Sequence, residues 1–187
     1  MQVLDAIATD RLVLRPFERT DAADLFRVMG NDSAMTWDYS VRGRERIERD
    51  LEGRLQHYRA HGFGVYGVGI DGSLVGQCGL QVLKGTQSAI EAVVYVERQQ
   101  WNRGIATEAC AAMLRYGFEI RQFPEIQWIT RLENAAARAL ARKLGFVRIR
   151  EDVVYEAEVE VSAMLRTGFR PGPGRFEVMP YSWDSDD

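Results

Sequence analysis

The stretch best suited to chemistry runs from Val94 to Glu108: Val-Tyr-Val-Glu-Arg-Gln-Gln-Trp-Asn-Arg-Gly-Ile-Ala-Thr-Glu. A strand-like apolar run leads into a tight polar loop, and a helix-forming run starts directly after it. The first turn of a helix carries backbone N–H groups without intrahelical acceptors and the positive end of the helix dipole. Phosphate binds there without needing many charged side chains. Gly104 permits a backbone conformation that other residues resist. Ala106 leaves the main chain open to close approach, and Thr107 adds a hydroxyl donor. The same residues also suit a plain turn and a capped helix. No Gly-Lys-Ser/Thr ends the loop, so it is not a Walker loop.

Other candidate groups read as structural. His57 and His61 stand four apart on a helix-like segment, but no third ligand is spaced nearby, so a surface pair and no metal are expected. Cys78 and Cys110 lie far apart and outside any Cys-x-x-Cys pair. That pattern argues against a zinc ribbon or a disulfide framework and suits packed thiols in a reducing cytoplasm. The run from Gly62 to Gly67 matches G-x-G-x-x-G, but it precedes a strand instead of opening a helix, so a dinucleotide reading fails. Arg138, Arg142 and Lys143 suit either a solvated helix face or a phosphate contact.

Periodicity supplies the elements that must position the loop. Residues 11–15 alternate as a strand ended by Pro16, and Thr20-Asp21 can cap a helix running to Met29. Residues 44–61 form a second helix, with Ile47, Leu51, Leu55 and Tyr58 on one face. Residues 63–70, 74–82 and 89–96 read as three consecutive strands, the first two joined by the Asp71-Gly72 turn. Residues 104–120 form a helix, 126–130 a strand, and 134–144 a helix closed by Gly145; 146–153 and 159–165 form a last strand pair. The helix between residues 96 and 126 makes a crossover, so the strands it joins should run parallel. The expected fold is α/β, a mixed and mostly antiparallel sheet with helices on both faces.

With 187 residues the chain fits one domain. A net charge of −3 gives no global field to recruit nucleic acid or an acidic membrane. No apolar run approaches the roughly 20 residues of a membrane span, and residues 1–10 lack a signal pattern. A cytoplasmic protein is expected.

Four segments carry a family resemblance. Trp101-Asn-Arg-Gly-Ile-Ala-Thr-Glu-Ala109 resembles the W-G-K-G-Y-A-T-E-A run of the ribosomal-protein N-terminal acetyltransferase-like branch of the GNAT superfamily, and looks like the wider Q/R-x-x-G-x-G/A coenzyme A loop with Trp101, often found in this branch, in place of the Gln/Arg. Glu91 to Val96 is similar to that branch's E-I-G-Y-W-L strand. Glu133-Asn134 and Arg142-Lys-Leu-Gly-Phe146 resemble E-N-x-x-S-x-x-L-x-x-K-L-G-F, and Thr9 to Pro16 resembles T-E-R-L-x-L-R-P. The departures are Val93 for a strand glycine, Arg98 for a proline, Asn102 for a loop glycine and Ala137 for a serine. Ala141 sits where some acetyltransferases carry a tyrosine general acid. The leaving thiolate therefore has no assigned proton donor.

The resemblance implies a GNAT-type sheet whose parallel strand pair splays to hold acetyl-CoA as co-substrate. It implies that the Val94 N–H polarises the thioester carbonyl and that the Val96 N–H holds the pantetheine. The N–H groups of Asn102, Arg103, Gly104 and Ala106, with Thr107, would take the pyrophosphate on the loop that Trp101 opens. Asn134 matches a coenzyme-side asparagine and also suits an N-cap. Glu91 is the candidate base, with water as its rival. Glu108 reads as a first-turn acid. Trp37, Asp38 and Tyr39 fall on a segment that borders the acceptor pocket in this branch. The acceptor would be an amine: a protein N-terminus, a small amine or an aminoglycoside-like antibiotic. The rival from another class is a non-catalytic coenzyme A-binding module.

The acetyltransferase domain is assigned to residues 1–167 and a separate tail to 168–187. Pro171-Gly-Pro-Gly174 breaks regular structure at the start of the tail. Phe176 to Trp183 is too apolar for a solvated linker, so it should dock on the body or on a second subunit, leaving Asp184, Asp186 and Asp187 in water.

Overall fold

A computed structural model describes residues 2–30, 43–154 and 156–183. The strands are β1 (Gln2–Ala8), β2 (Val13–Arg15), β3 (Val65–Ile70), β4 (Ser73–Val82), β5 (Ile90–Val96), β6 (Glu125–Arg131), β7 (Val147–Val154), β8 (Ala157–Leu165) and β9 (Glu177–Trp183). The α-helices are α1 (Ala22–Met29), α2 (Arg44–His61), α3 (Ile105–Arg115) and α4 (Ala135–Leu144). Among the described residues the strands make one sheet in the order β7-β8-β6-β5-β4-β3-β2-β1-β9. The β5–β6 pair is parallel, and the other recorded pairs are antiparallel. The α3 crossover between β5 and β6 is the reason, since a parallel return needs a long connection.

Helices cover both faces. Gln77 and Cys78 are successive residues of β4, so their side chains point to opposite faces. Cys78 Sγ lies 3.7 Å from Cys110 Sγ of α3. Both thiols are buried, and burial pushes the Cys78 thiol up in pKa. Gln77 stands opposite Tyr95 in the β4–β5 register, and the Tyr95 hydroxyl donates to the carbonyl of Val28 in α1 at 3.0 Å. Past Arg115 the α3 helix widens into a π-helical turn, Tyr116–Ile120. Gly117 lets this turn lie against the sheet: a Cβ there would come within 2.6 Å of Leu80 and 2.8 Å of Ile126.

Three details depart from the sequence expectation. Asp21 does not cap α1 with its side chain. Its carboxylate instead takes both arms of Arg15, each at 2.7 Å, and the Glu18 N–H at 2.8 Å, a bidentate pair stronger than a single capping bond. His57 is half-buried and hydrogen-bonded through both ring nitrogens. Its Nε2 accepts from the Val82 N–H at 3.1 Å and its Nδ1 donates to the Phe63 carbonyl at 2.8 Å, which pins α2 to β4. Burial lowers its pKa below the ordinary histidine value. Finally, β1 carried no clear strand signal, because Asp5 and three small or polar neighbours break its apolar alternation. The Asp5 carboxylate accepts the Tyr116 hydroxyl at 2.8 Å.

The chain beyond the Pro-Gly run returns to the sheet. β9 pairs with β1 over seven residues, from Gln2 opposite Trp183 to Ala8 opposite Glu177. Pro180 is accommodated because β9 is an edge strand and needs no donor on its outer side. Trp183 is fully buried, stacked edge-on to Tyr58 at 5.5 Å, and its indole N–H donates to the Phe17 carbonyl at 3.0 Å. The three tail aspartates lie outside the described residues. Trp183→Ala should cost about 3–5 kcal/mol and lower the melting temperature by at least about 6 °C. An unchanged thermal scan would show that β9 does not hold β1 in solution.

Candidate functional site

The parallel strands β5 and β6 share one register pair among the described residues, Glu91 opposite Gln127. By contrast, β5 pairs with β4 over seven residues. Beyond Glu91 the parallel pair opens into a cleft of about 700 Å³. Trp128, Ile129, Thr130 and Arg131 all line it. Successive strand residues point to opposite faces, so the cleft passes through the sheet from one face to the other.

The open edge of β5 turns main-chain groups away from β4 and toward the gap. The Glu97 N–H donates to the Val75 carbonyl of β4 at 2.9 Å. Strand alternation therefore directs the N–H and C=O groups of Val94 and Val96 away from β4, into the gap. The indole of Trp101 donates to the Val96 carbonyl at 2.7 Å, fastening the loop to the end of the strand. Trp101 is 47% exposed and lines the cleft.

The loop then turns through two left-handed residues, Asn102 at φ 59° and Gly104 at φ 78°. An asparagine adopts this conformation more readily than most side chains, which accounts for its place where a glycine is usual. The first backbone bond of α3 runs from the Glu108 N–H to the Gly104 carbonyl at 3.0 Å. The N–H groups of residues 104–107 consequently have no acceptor within the helix. Gly104, Ala106 and Thr107 line the cleft, and the Lys143 ammonium stands 3.5 Å from the Thr107 hydroxyl. One end of the cleft is thus built for an anion.

Glu108 fixes that end in place. Its carboxylate accepts the Thr9 hydroxyl at 2.6 Å, the Arg11 N–H at 3.0 Å and the Arg11 guanidinium at 2.6 Å. A second arm of Arg11 reaches the Arg103 carbonyl at 2.9 Å. Partial burial pushes the Glu108 pKa up, but the bonds from Thr9 and Arg11 outweigh it and hold the carboxyl below its ordinary value. From its place in the sequence Glu108 shows only a dipole role. Thr9, Arg11 and Glu108 all sit in the matched motifs, but nothing in the sequence joined them in space.

The structure brings Glu91, Val94, Val96, Trp101, Asn102, Gly104, Ala106, Thr107 and Asn134 together around this one cleft. Arg103 lies on the exposed outer side of the loop, its guanidinium on Gln100 at 2.5 Å. Asn134 caps α4 by accepting the Ala137 N–H at 3.0 Å. Glu91 is 7% exposed and accepts from the Gln81 amide at 2.9 Å. Arg138 turns away to pair with Glu160 at 2.9 Å, so of the three α4 bases considered Lys143 is the one lining the cleft. Ala137 lines the cleft and Ala141 is buried in the core, so neither position offers an acid. Trp37, Asp38 and Tyr39 lie outside the described residues.

Residues 11–147 match the model of the acetyltransferase (GNAT) domain. The chain is 28% identical to the Bacillus subtilis protein YkkB, covering 78% of this chain and 87% of that one. It is 27% identical to the N-acetyltransferase YoaA of the same organism, covering 75% and 81%. Among solved structures, Mycobacterium smegmatis RimJ in complex with CoA-disulfide superposes with a TM-score of 0.69 at 21% identity, covering 88% of this chain and 87% of that one.

If the Glu108 clamp sets the loop, Glu108→Gln should weaken coenzyme A binding by about tenfold, equivalent to ~1.4 kcal/mol of lost preorganisation. The depressed pKa means that the clamp is intact above the usual carboxylate range of about 4 and is lost as pH falls through the folded value. Wild-type affinity in the variant, measured by calorimetry, would rule the clamp out as a determinant of binding.

Proposed function

The chain belongs to the GNAT acetyltransferase family and is an acetyl-CoA-dependent acetyltransferase; from this we propose that it transfers the acetyl group to an amine by direct attack. The acceptor class is a protein N-terminus or a small-molecule amine, and the setting is the cytoplasm. One observation carries the reading. A single cleft is lined by the β5 residues Val94 and Val96, whose N–H groups are turned away from β4, and by the open start of α3. Those features fit a long molecule with a carbonyl-bearing arm and a pyrophosphate. The similarity to an N-acetyltransferase of Bacillus subtilis supports an amine acceptor. Among the described residues no helix is long and apolar enough to cross a membrane.

Each group has a derived task. The first turn of α3, with Thr107 and Lys143, holds the pyrophosphate by main-chain donors and charge. The Val96 N–H takes a pantetheine carbonyl. The Val94 N–H donates to the thioester oxygen, and its bond strengthens as charge develops there, contributing roughly 3–4 kcal/mol as one preorganised donor. Glu91 removes the proton that keeps the amine from attacking. The new C–N bond forms as the C–S bond breaks, and the extra proton that the nitrogen then carries passes through water to the departing thiolate, giving the amide and the free thiol. That route needs no acid at position 137 or 141, so the alanines there are compatible with turnover.

A panel of primary amines and N-terminal peptides, with thiol release as the readout, identifies the acceptor. On it, Glu91→Gln should lower kcat by on the order of 10²–10⁴-fold, leave acetyl-CoA affinity near wild type and remove the acidic limb of the pH–rate profile. Wild-type turnover in this variant would move the base role to water, and acetyl-CoA hydrolysis with no acetylated product would overturn the amine reading.

A further inference from the structure

Gln77 carries a buried polar atom that the chemistry described so far does not use. It lies on β4 opposite Tyr95 and lines the cleft. The residue is 6% exposed, yet its side-chain carbonyl Oε1 has no hydrogen-bond partner among the described residues. Leaving such a group unpaired is destabilising, so it calls for a donor. The Tyr95 hydroxyl beside it is directed to the Val28 carbonyl.

The register says which donor. Val94, whose N–H faces the thioester position, is one residue from Tyr95 and pairs with Cys78, the neighbour of Gln77. On the proposed reading the pantetheine arm would lie along the edge of β5, where main-chain groups match its amides. Gln77 instead projects from the face of the sheet, the α1 side shared with Tyr95. A thioester brings only acceptors to that point. The remaining reactant that brings an N–H is the amine. Resting on the amine-acetyltransferase reading, we infer that the Gln77 side-chain carbonyl is an acceptor-binding group: it takes an N–H of the incoming amine and aims its lone pair at the thioester carbon.

Gln77→Met keeps the length of the side chain and removes the oxygen; Gln77→Glu keeps an oxygen acceptor. With the panel's most active amine, Gln77→Met should raise the amine KM about ten- to hundredfold, with a smaller change in kcat, as expected for a lost hydrogen bond to a charged or charging group. Acetyl-CoA affinity by calorimetry should hold, and the melting temperature should not fall, because an unpaired buried carbonyl has been removed. Gln77→Glu should restore the amine KM to within a few-fold of wild type. An unchanged KM in Gln77→Met, a loss of acetyl-CoA affinity or a lowered melting temperature would each overturn the assignment, pointing to a bound water, the pantetheine arm or a packing role. If wild type acetylates no amine in the panel, the amine reading itself fails and this assignment falls with it.

Discussion

Two neighbouring strands that run parallel but do not stay paired govern the rest of this structure. β5 and β6 meet at Glu91 and Gln127 and then part. A sheet interior normally satisfies its backbone groups in ladders, because an unpaired buried N–H or C=O is costly. Here the sheet leaves the Val94 and Val96 groups facing a gap. Once that gap exists, the fold has a channel through its middle, lined by side chains from both faces. The long antiparallel ladders on either side, β4 with β5 and β6 with β8, keep the separated edges from collapsing onto each other.

The second requirement is a charge-complementary end to that channel. It is met mostly by main chain: a left-handed asparagine, a left-handed glycine and a helix start whose first N–H groups have no internal partner. Such a loop would be poorly defined alone. Trp101 fastens its entry to β5, and Glu108 fastens its exit to the β1–β2 turn through Thr9 and Arg11. The N-terminal segment thereby supports this loop across the fold. The same turn sits beside β9 through β1, so the C-terminal strand reinforces the wall against which the loop is held.

How much of this was legible depended on range. The strand-loop-helix unit from Val94 to Glu108 was readable locally, because a left-handed Gly104 and an open helix start at Ala106 and Thr107 are backbone geometry that residue type dictates. The hairpin at Asp71-Gly72 and the α2 span were plain for the same reason. What stayed hidden was long-range partnership. Glu108 looked like a dipole acid because Arg11 is 97 residues away. His57 looked like a surface group because its two partners, Phe63 and Val82, come from a loop and a strand that only the fold assembles. β1 carries a mid-strand aspartate that is explained only by Tyr116. The apolar content of the tail signalled burial, but its strand pairing with β1 left no local trace, since Pro180 argues against a strand anywhere but an edge.

The central claim is that the parted strands and the open helix start form one coenzyme site built of backbone amides. Amide hydrogen exchange, read residue by residue with and without coenzyme A, tests it directly. Binding should slow exchange at Val94 and Val96 together with Gly104, Ile105, Ala106 and Thr107, on the strand edge and the helix start at once. Slowing confined to the groove between the β1–β2 turn and the Asp71-Gly72 hairpin, or protection of the helix start without β5, would contradict it.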